Sequence, residues 1–148
     1  MGFDSRKSQL ELKVIWKDDD MIELSIKASN GRYFGTTQVY DTSESLLGLS
    51  TSLADFWAGH QPIVYEAGTK GSYAFWGMNI YLLQPSGLIG VEVNLEENSS
   101  HPGSSQEKKN NVRLEIQTYM AAIDLFRDEL IELAQNEEGV ASLYGENT

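Results

Sequence analysis

The sequence predicts an α+β fold: a largely antiparallel meander sheet with two amphipathic helices packed on its apolar face, laid out as two halves that each run meander first and helix second. Three observations carry this. Most of the apolar residues fall on alternate positions in short runs, the signature of half-buried strands. Two longer stretches switch to helical spacing, and each follows directly on a strand. All the strand connections can be antiparallel, so no crossover is needed and helices can gather on one face.

Leu10, Leu12, Val14 and Trp16 alternate with Glu11, Lys13, Ile15 and Lys17, and Ile22, Leu24, Ile26 and Ala28 repeat the pattern. With Asp18-Asp19-Asp20 as the connection, Trp16 faces Ile22, Val14 faces Leu24 and Leu12 faces Ile26. The three aspartates read as a solvated turn, because a calcium loop needs ligands continuing at alternate positions and a glycine, and Met21 and Ile22 follow instead. Asn30-Gly31 suits a two-residue hairpin turn, both of whose central residues need positive φ. Counting outward from it pairs Ala28 with Tyr33, Ile26 with Gly35, Leu24 with Thr37 and Ile22 with Val39.

Asp41-Thr42-Ser43-Glu44 opens the first helix, with Asp41 as the cap and Glu44 reaching back in a capping box. Leu46, Leu49, Leu53 and Phe56 or Trp57 follow at helical spacing, and Gly59 ends the helix. Gln61-Pro62 breaks the chain before a short strand from Ile63 to Glu66. Gly68-Thr69-Lys70-Gly71-Ser72 lacks the glycine-lysine-serine order and the following helix of a phosphate loop, and reads as a hairpin loop.

The organising stretch is the hairpin from Tyr73 to Glu96, turning at Gln84-Pro85-Ser86-Gly87. Pairing Leu83 with Leu88 sets Leu82 against Ile89, Ile80 against Val91, Met78 against Val93 and Trp76 against Leu95. A slip of one residue would put Ile80 against Glu92, so the pattern fixes the register. The polar segment 97–111 is a long surface loop, and connections of that length are often functional. Val112, Leu114, Ile116 and Thr118 give the last strand. The second helix runs from Ala121 to Gln135, with Ile123, Phe126, Leu130 and Leu133 on its apolar stripe. Val39 leading to Leu46 then corresponds to Ile116 leading to Ile123. Residues 1–8 are expected to be disordered, 9–135 to form a single domain, and the acidic tail 136–148 to fray unless Val140, Leu143 and Tyr144 dock.

The formal net charge of −11 disfavours nucleic acid and anionic membrane surfaces as partners; it would attract a basic protein, and it equally serves solubility alone. No apolar run is long enough for a membrane span and residues 1–8 lack a signal-peptide core, so the expected compartment is the cytoplasm. Without cysteine there is no thiolate chemistry, and only His60, His101 and carboxylates remain as metal ligands. Neither histidine sits in a metal pair or a catalytic motif, so no catalytic residue, metal or cofactor is expected.

The candidate site is the outer face of the central hairpin. Tyr73, Phe75, Asn79 and Tyr81 from one arm share it with Glu92, Asn94 and Glu96 from the other, and Glu115 should lie beside Glu92. Tyr81 lies across from Gly90 and can cover it. Two arrangements are open: the aromatic residues are packed under a neighbouring segment, or they form an exposed patch with an acidic rim, a composition suited to binding a protein.

Gly35 to Glu44 with Leu46 and Leu47, the strand Gly90-Val91-Glu92-Val93, and Leu114-Glu115-Ile116 leading into a helix resemble small acidic bacterial proteins, among them immunity proteins paired with wall-associated contact-dependent toxins. The resemblance covers the layout of residues 10–135 and implies an intracellular protein that neutralises a toxin by binding it. It carries over no functional residue. The expected function is therefore non-enzymatic binding of a basic protein. Two alternatives are a small-ligand or enzymatic pocket lined by Trp57, Tyr65, Trp76 or Tyr81 with Glu92, and an assembly role through edge strands such as Leu10 to Trp16.

Overall fold

The structure, a computed structural model, describes residues 2–59, 61–68, 73–98 and 108–147. The elements in order are β1 (Ser8–Lys17), β2 (Ile22–Asn30), β3 (Phe34–Asp41), α1 (Ser43–Gly59), β4 (Ile63–Ala67), β5 (Ala74–Leu82), β6 (Ile89–Asn98), β7 (Lys109–Thr118), α2 (Met120–Asn136) and β8 (Val140–Tyr144). All strand pairs are antiparallel, as expected, but they divide between two four-stranded sheets in the orders β3-β2-β1-β8 and β4-β5-β6-β7.

The two halves of the chain share one plan more closely than the hydropathy pattern reveals. Each is a three-stranded meander, a helix and one further strand, and the further strand leaves its own half. β4 follows the first helix and pairs with β5, the first strand of the second meander, while β8 follows the second helix and pairs with β1. The helices are both 17 residues long and pack against one another. Leu46, Leu49, Leu53 and Phe56 of α1 and Ile123, Phe126, Leu130 and Leu133 of α2 are buried in one core with the inward residues of both sheets. Each such large apolar side chain contributes roughly 1.5–3 kcal/mol on burial.

β3 joins the two sheets. It lies against β5 and β6, and Thr37 Oγ1 donates to the Glu96 carbonyl at 3.2 Å. Gly35 makes the approach possible, because a Cβ there would run into the Val112 side chain.

The central hairpin has the expected register throughout, from Leu82 against Ile89 to Trp76 against Leu95. Elsewhere the structure corrects the sequence reading. Asn30-Gly31 opens a four-residue turn, in which Asn30 Oδ1 accepts from the Arg32 and Tyr33 N–H groups and Gly31 takes φ 91°. The pairing is Ala28 with Gly35, Ile26 with Thr37, Leu24 with Val39 and Ile22 with Asp41. That is two residues from the expected register, and an even shift keeps every side chain on its expected face.

In β1, Leu12 and Val14 meet Ile26 and Leu24 as expected, but a bulge between Val14 and Trp16 sets Trp16 opposite Glu23 instead of Ile22. The extra residue reverses the parity, and Trp16 leans on Tyr40 with ring centroids 6.1 Å apart. β1 lies between β2 and β8 and is not the edge strand it was expected to be.

The cap of α1 is Thr42, whose Oγ1 accepts from the Ser45 N–H at 3.1 Å. Asp41 is drawn away to Tyr65, whose hydroxyl donates to Asp41 Oδ2 at 2.6 Å.

Of the three tail residues expected to dock, Leu143 is fully buried in β8 while Val140 and Tyr144 are exposed, and Ala141, not foreseen, is fully buried beside Leu143. Thr118 Oγ1 donates to the Tyr144 carbonyl at 2.9 Å. At the other end, Ser29 Oγ donates to the Ser5 carbonyl at 2.6 Å, and the Phe3 ring packs at a tilt against Phe34 with centroids 5.5 Å apart.

Candidate functional site

Alternation along four strands and the registers between them define the outer face of the second sheet. Val64, Asn79, Glu92 and Glu115 form one row across β4, β5, β6 and β7. Glu66, Gly77, Asn94 and Arg113 form the next, Phe75, Glu96 and Asn111 the third, and Tyr81, Gly90 and Gln117 flank the first. Residues far apart in sequence thus meet because the meander keeps register over its whole length.

Glu92 and Glu115 are directly opposed, as expected. Asn79 Nδ2 donates to Glu92 Oε1 at 3.2 Å, Gln117 Nε2 to Glu115 Oε1 at 3.2 Å, and the Tyr81 hydroxyl to Glu115 Oε2. Burial and this carboxylate push the Tyr81 phenol well above its ordinary range, so the hydroxyl stays a donor. The ring covers Gly90, where any Cβ would overlap it. The ion pairs among the described residues join Arg6 to Asp4, Lys109 to Glu96, and Arg127 to Asp124 and Asp128, and none of them includes Glu92 or Glu115.

Glu96 behaves differently. It is buried, and Asn111 Nδ2 at 3.2 Å, Asn94 Nδ2 at 3.5 Å and Lys109 Nζ at 4.0 Å surround its carboxylate. Phe75 is 2% exposed, its ring folded beside Gly77, and Tyr73 is 71% exposed. Of the aromatic residues placed on this face, Phe75 is thus a packed residue and Tyr73 projects into solvent. Asn79, Tyr81, Glu92 and Asn94 lie between these extremes.

Glu66, Asn111, Arg113 and Gln117, none of them singled out from the sequence, complete the face with Gly77. The parity that places Glu115 beside Glu92 also places Arg113 and Gln117 on that face. Finding Glu66 required the register of the short strand β4.

The residues proposed for an aromatic pocket do not come together. Tyr65 and Trp76 point into the core with ring centroids 5.4 Å apart, Tyr81 and Glu92 lie on the opposite face of that sheet, and Trp57 is exposed on α1. Burial, opposed by the hydrogen bonds from Tyr65 and Thr42, holds the Asp41 carboxyl above its usual value.

A polar cleft of about 820 Å³ is lined by Arg6, Lys7 and Arg32 together with Glu115, Gln117 and Glu146. Among the described residues no three carboxylates or histidines gather as a metal site would require, and no helix is long and apolar enough to cross a membrane. His60, His101 and residues 69–72 lie outside the described residues, as does most of the 97–111 segment. Comparison with family models finds no match to this chain, and comparison with curated proteins finds none either.

Proposed function

We propose that this is a non-enzymatic binding protein that occludes a basic protein partner with the outer face of its second sheet. The observation that carries the reading is the Glu92–Glu115 pair. Like charges directly opposed on neighbouring strands destabilise a sheet, and here neither carboxylate is held in an ion pair, while Asn79, Gln117 and Tyr81 hold both in place. A partner supplying lysine or arginine would relieve that repulsion on docking, and the net charge of −11 would steer it in. The resemblance to bacterial immunity proteins supports the same reading, with neutralisation of a basic toxin in the cytoplasm as its specific form.

The test is capture from a native lysate at low salt with three baits: wild type, Glu92→Lys with Glu115→Lys, and Glu11→Lys with Glu23→Lys on the outer face of the other sheet. The expected result is one basic protein held by the first and third baits, lost by the second, and released from the wild type as salt rises from ~50 to ~500 mM. A protein held equally by all three, or nothing held by the wild type, overturns the proposal.

A further inference from the structure

The bulge in β1 sends a large apolar side chain out of the core. Leu10, Leu12 and Val14 alternate inward, so an unbroken strand would carry Trp16 inward too; the inserted residue instead sets it on the outer face of the first sheet, where it is 46% exposed. There the registers line up Trp16 on β1, Glu23 on β2 and Tyr40 on β3 as one row. β1 and β3 flank β2 and so lie roughly 9–10 Å apart by ordinary strand spacing, yet the two ring centroids are only 6.1 Å apart. The rings therefore lean together above Glu23. Their planes meet at 83°, which makes them two walls of a corner and not a stacked pair, and Tyr40 is 54% exposed. Glu23 is half-buried between them, and no ion pair among the described residues includes it. Lys27, the lysine found over a ring, sits on Phe3 at the far end of this face.

We propose that this corner binds a small soluble quaternary ammonium compound, its trimethylammonium head against the Trp16 and Tyr40 rings and Glu23 as the counter-charge. A head group resting in the corner lies within ~6 Å of both centroids, the range over which a ring face attracts a cation. The chemistry selects the alkylated ion. A lysine or arginine head group brings three or five N–H donors, and the corner offers a single carboxylate to receive them. A quaternary nitrogen has no donor to satisfy, and its methyl groups bury apolar surface against the rings. The Asp18-Asp19-Asp20 turn follows two residues after Trp16, so the local field draws in a cation and opposes a ligand whose nitrogen is tied to a phosphate. The corner lies on the first sheet and shares no residue with the Glu92–Glu115 face, so each reading stands or falls by itself.

The experiment is titration of the full chain with choline at constant ionic strength, followed by ¹⁵N–¹H NMR at the Trp16 indole N–H, which Trp16→Phe identifies. The controls are 3,3-dimethylbutan-1-ol, which has the same shape without the charge, ethanolamine, which has the charge without the methyl groups, and phosphocholine. The expected result is saturable movement of the Trp16 signal with a Kd of ~1–20 mM for choline, the Trp57 signal staying still, and at least ~10-fold weaker binding of the neutral alcohol. Ethanolamine and phosphocholine should each bind several-fold more weakly than choline. Tyr40→Leu removes one wall and should weaken choline at least ~5-fold. Glu23→Gln keeps the shape of the site and should weaken it several-fold, which holds the test open should Tyr40→Leu fail to give a dispersed spectrum. No saturable movement up to ~50 mM, an equal response to the neutral alcohol, or binding untouched by either variant overturns the inference. Phosphocholine bound as tightly as choline would point to a lipid head group and overturn it equally.

Discussion

The two sheets are alike inside and unlike outside. Inward, the halves match position by position: Leu12 with Met78, Leu24 with Val91, Ile26 with Val93, Val39 with Ile116, Leu46 with Ile123, Leu53 with Leu130, and Phe56 with Leu133, all buried. Outward, the first sheet shows Glu11, Lys13, Glu23, Lys27, Thr36, Gln38 and Tyr40, with Glu11 opposite Lys27, and there Lys27 lies 6.0 Å from the centre of the Phe3 ring. The second sheet instead sets one carboxylate directly against another, Glu92 against Glu115. The inward pattern is what the fold needs, since every exchange there creates a cavity or a clash. The outward pattern is free to vary, and it diverges between the two halves of one plan.

The largest test of that comparison lies in the shared core. Leu53→Ala and Leu130→Ala should each cost about 2–5 kcal/mol and shift one common urea transition, read by circular dichroism. Two separate transitions would mean that the halves are independent, contrary to their exchange of β4 and β8.

On the outer faces the halves should part company. Gly90→Ala must displace the Tyr81 ring and should cost about 1–3 kcal/mol in the same assay. Glu23→Ala, at the matching place in β2, should fall within about 0.5 kcal/mol of wild type.

The helix starts sharpen the comparison further. Thr42 caps α1 through its side chain, whereas Tyr119 stands at the cap of α2 with extended φ and ψ and no side-chain hydrogen bond. Thr42→Ala should cost about 1 kcal/mol, and Tyr119→Asp should gain up to about 1 kcal/mol, both visible as shifts in Tm.

The smallest effect is alkaline. The Tyr65 and Tyr81 phenols are raised above the ordinary value of 10.0, mainly by burial, so the unfolded chain loses these protons first. Stability should therefore fall as pH rises past about 10, because the folded state binds more protons there. Tyr65→Phe and Tyr81→Phe should each flatten that slope, measured as urea midpoint against pH. An unchanged slope in both would refute the assignment.

Parity explains what was legible in the sequence. The hairpin from Trp76 to Leu95 was readable because its turn and its alternation agree, and the membership of the candidate face followed from it. The Asn30 turn was misjudged by two residues at no cost, since an even shift preserves the faces. The Trp16 bulge was not readable, because an inserted residue leaves no mark when Ile15 and Trp16 are both apolar. Strand β8 was hidden by its five-residue length and by the glycine and acids before it. The burial of Phe75 escaped because its ring packs along its own strand over a glycine, which alternation does not register. The division into two sheets was equally hidden: it depends on where β4 and β8 go, and no local pattern says that a strand will cross to the other half.

That crossing gives the backbone a closed form. β8 lies beside β1, the Gly145 N–H donates to the Ser8 carbonyl at 2.9 Å, and the Ser8 N–H donates to Asn147 Oδ1 at 3.1 Å. A short linker from residue 147 back to residue 8 would turn the path into a ring, and the ring could be cut again at Pro85-Ser86 in the exposed turn between β5 and β6. Such a circular permutant should reach the same fold by a different order of synthesis, with the meander that carries the candidate face divided between its two ends.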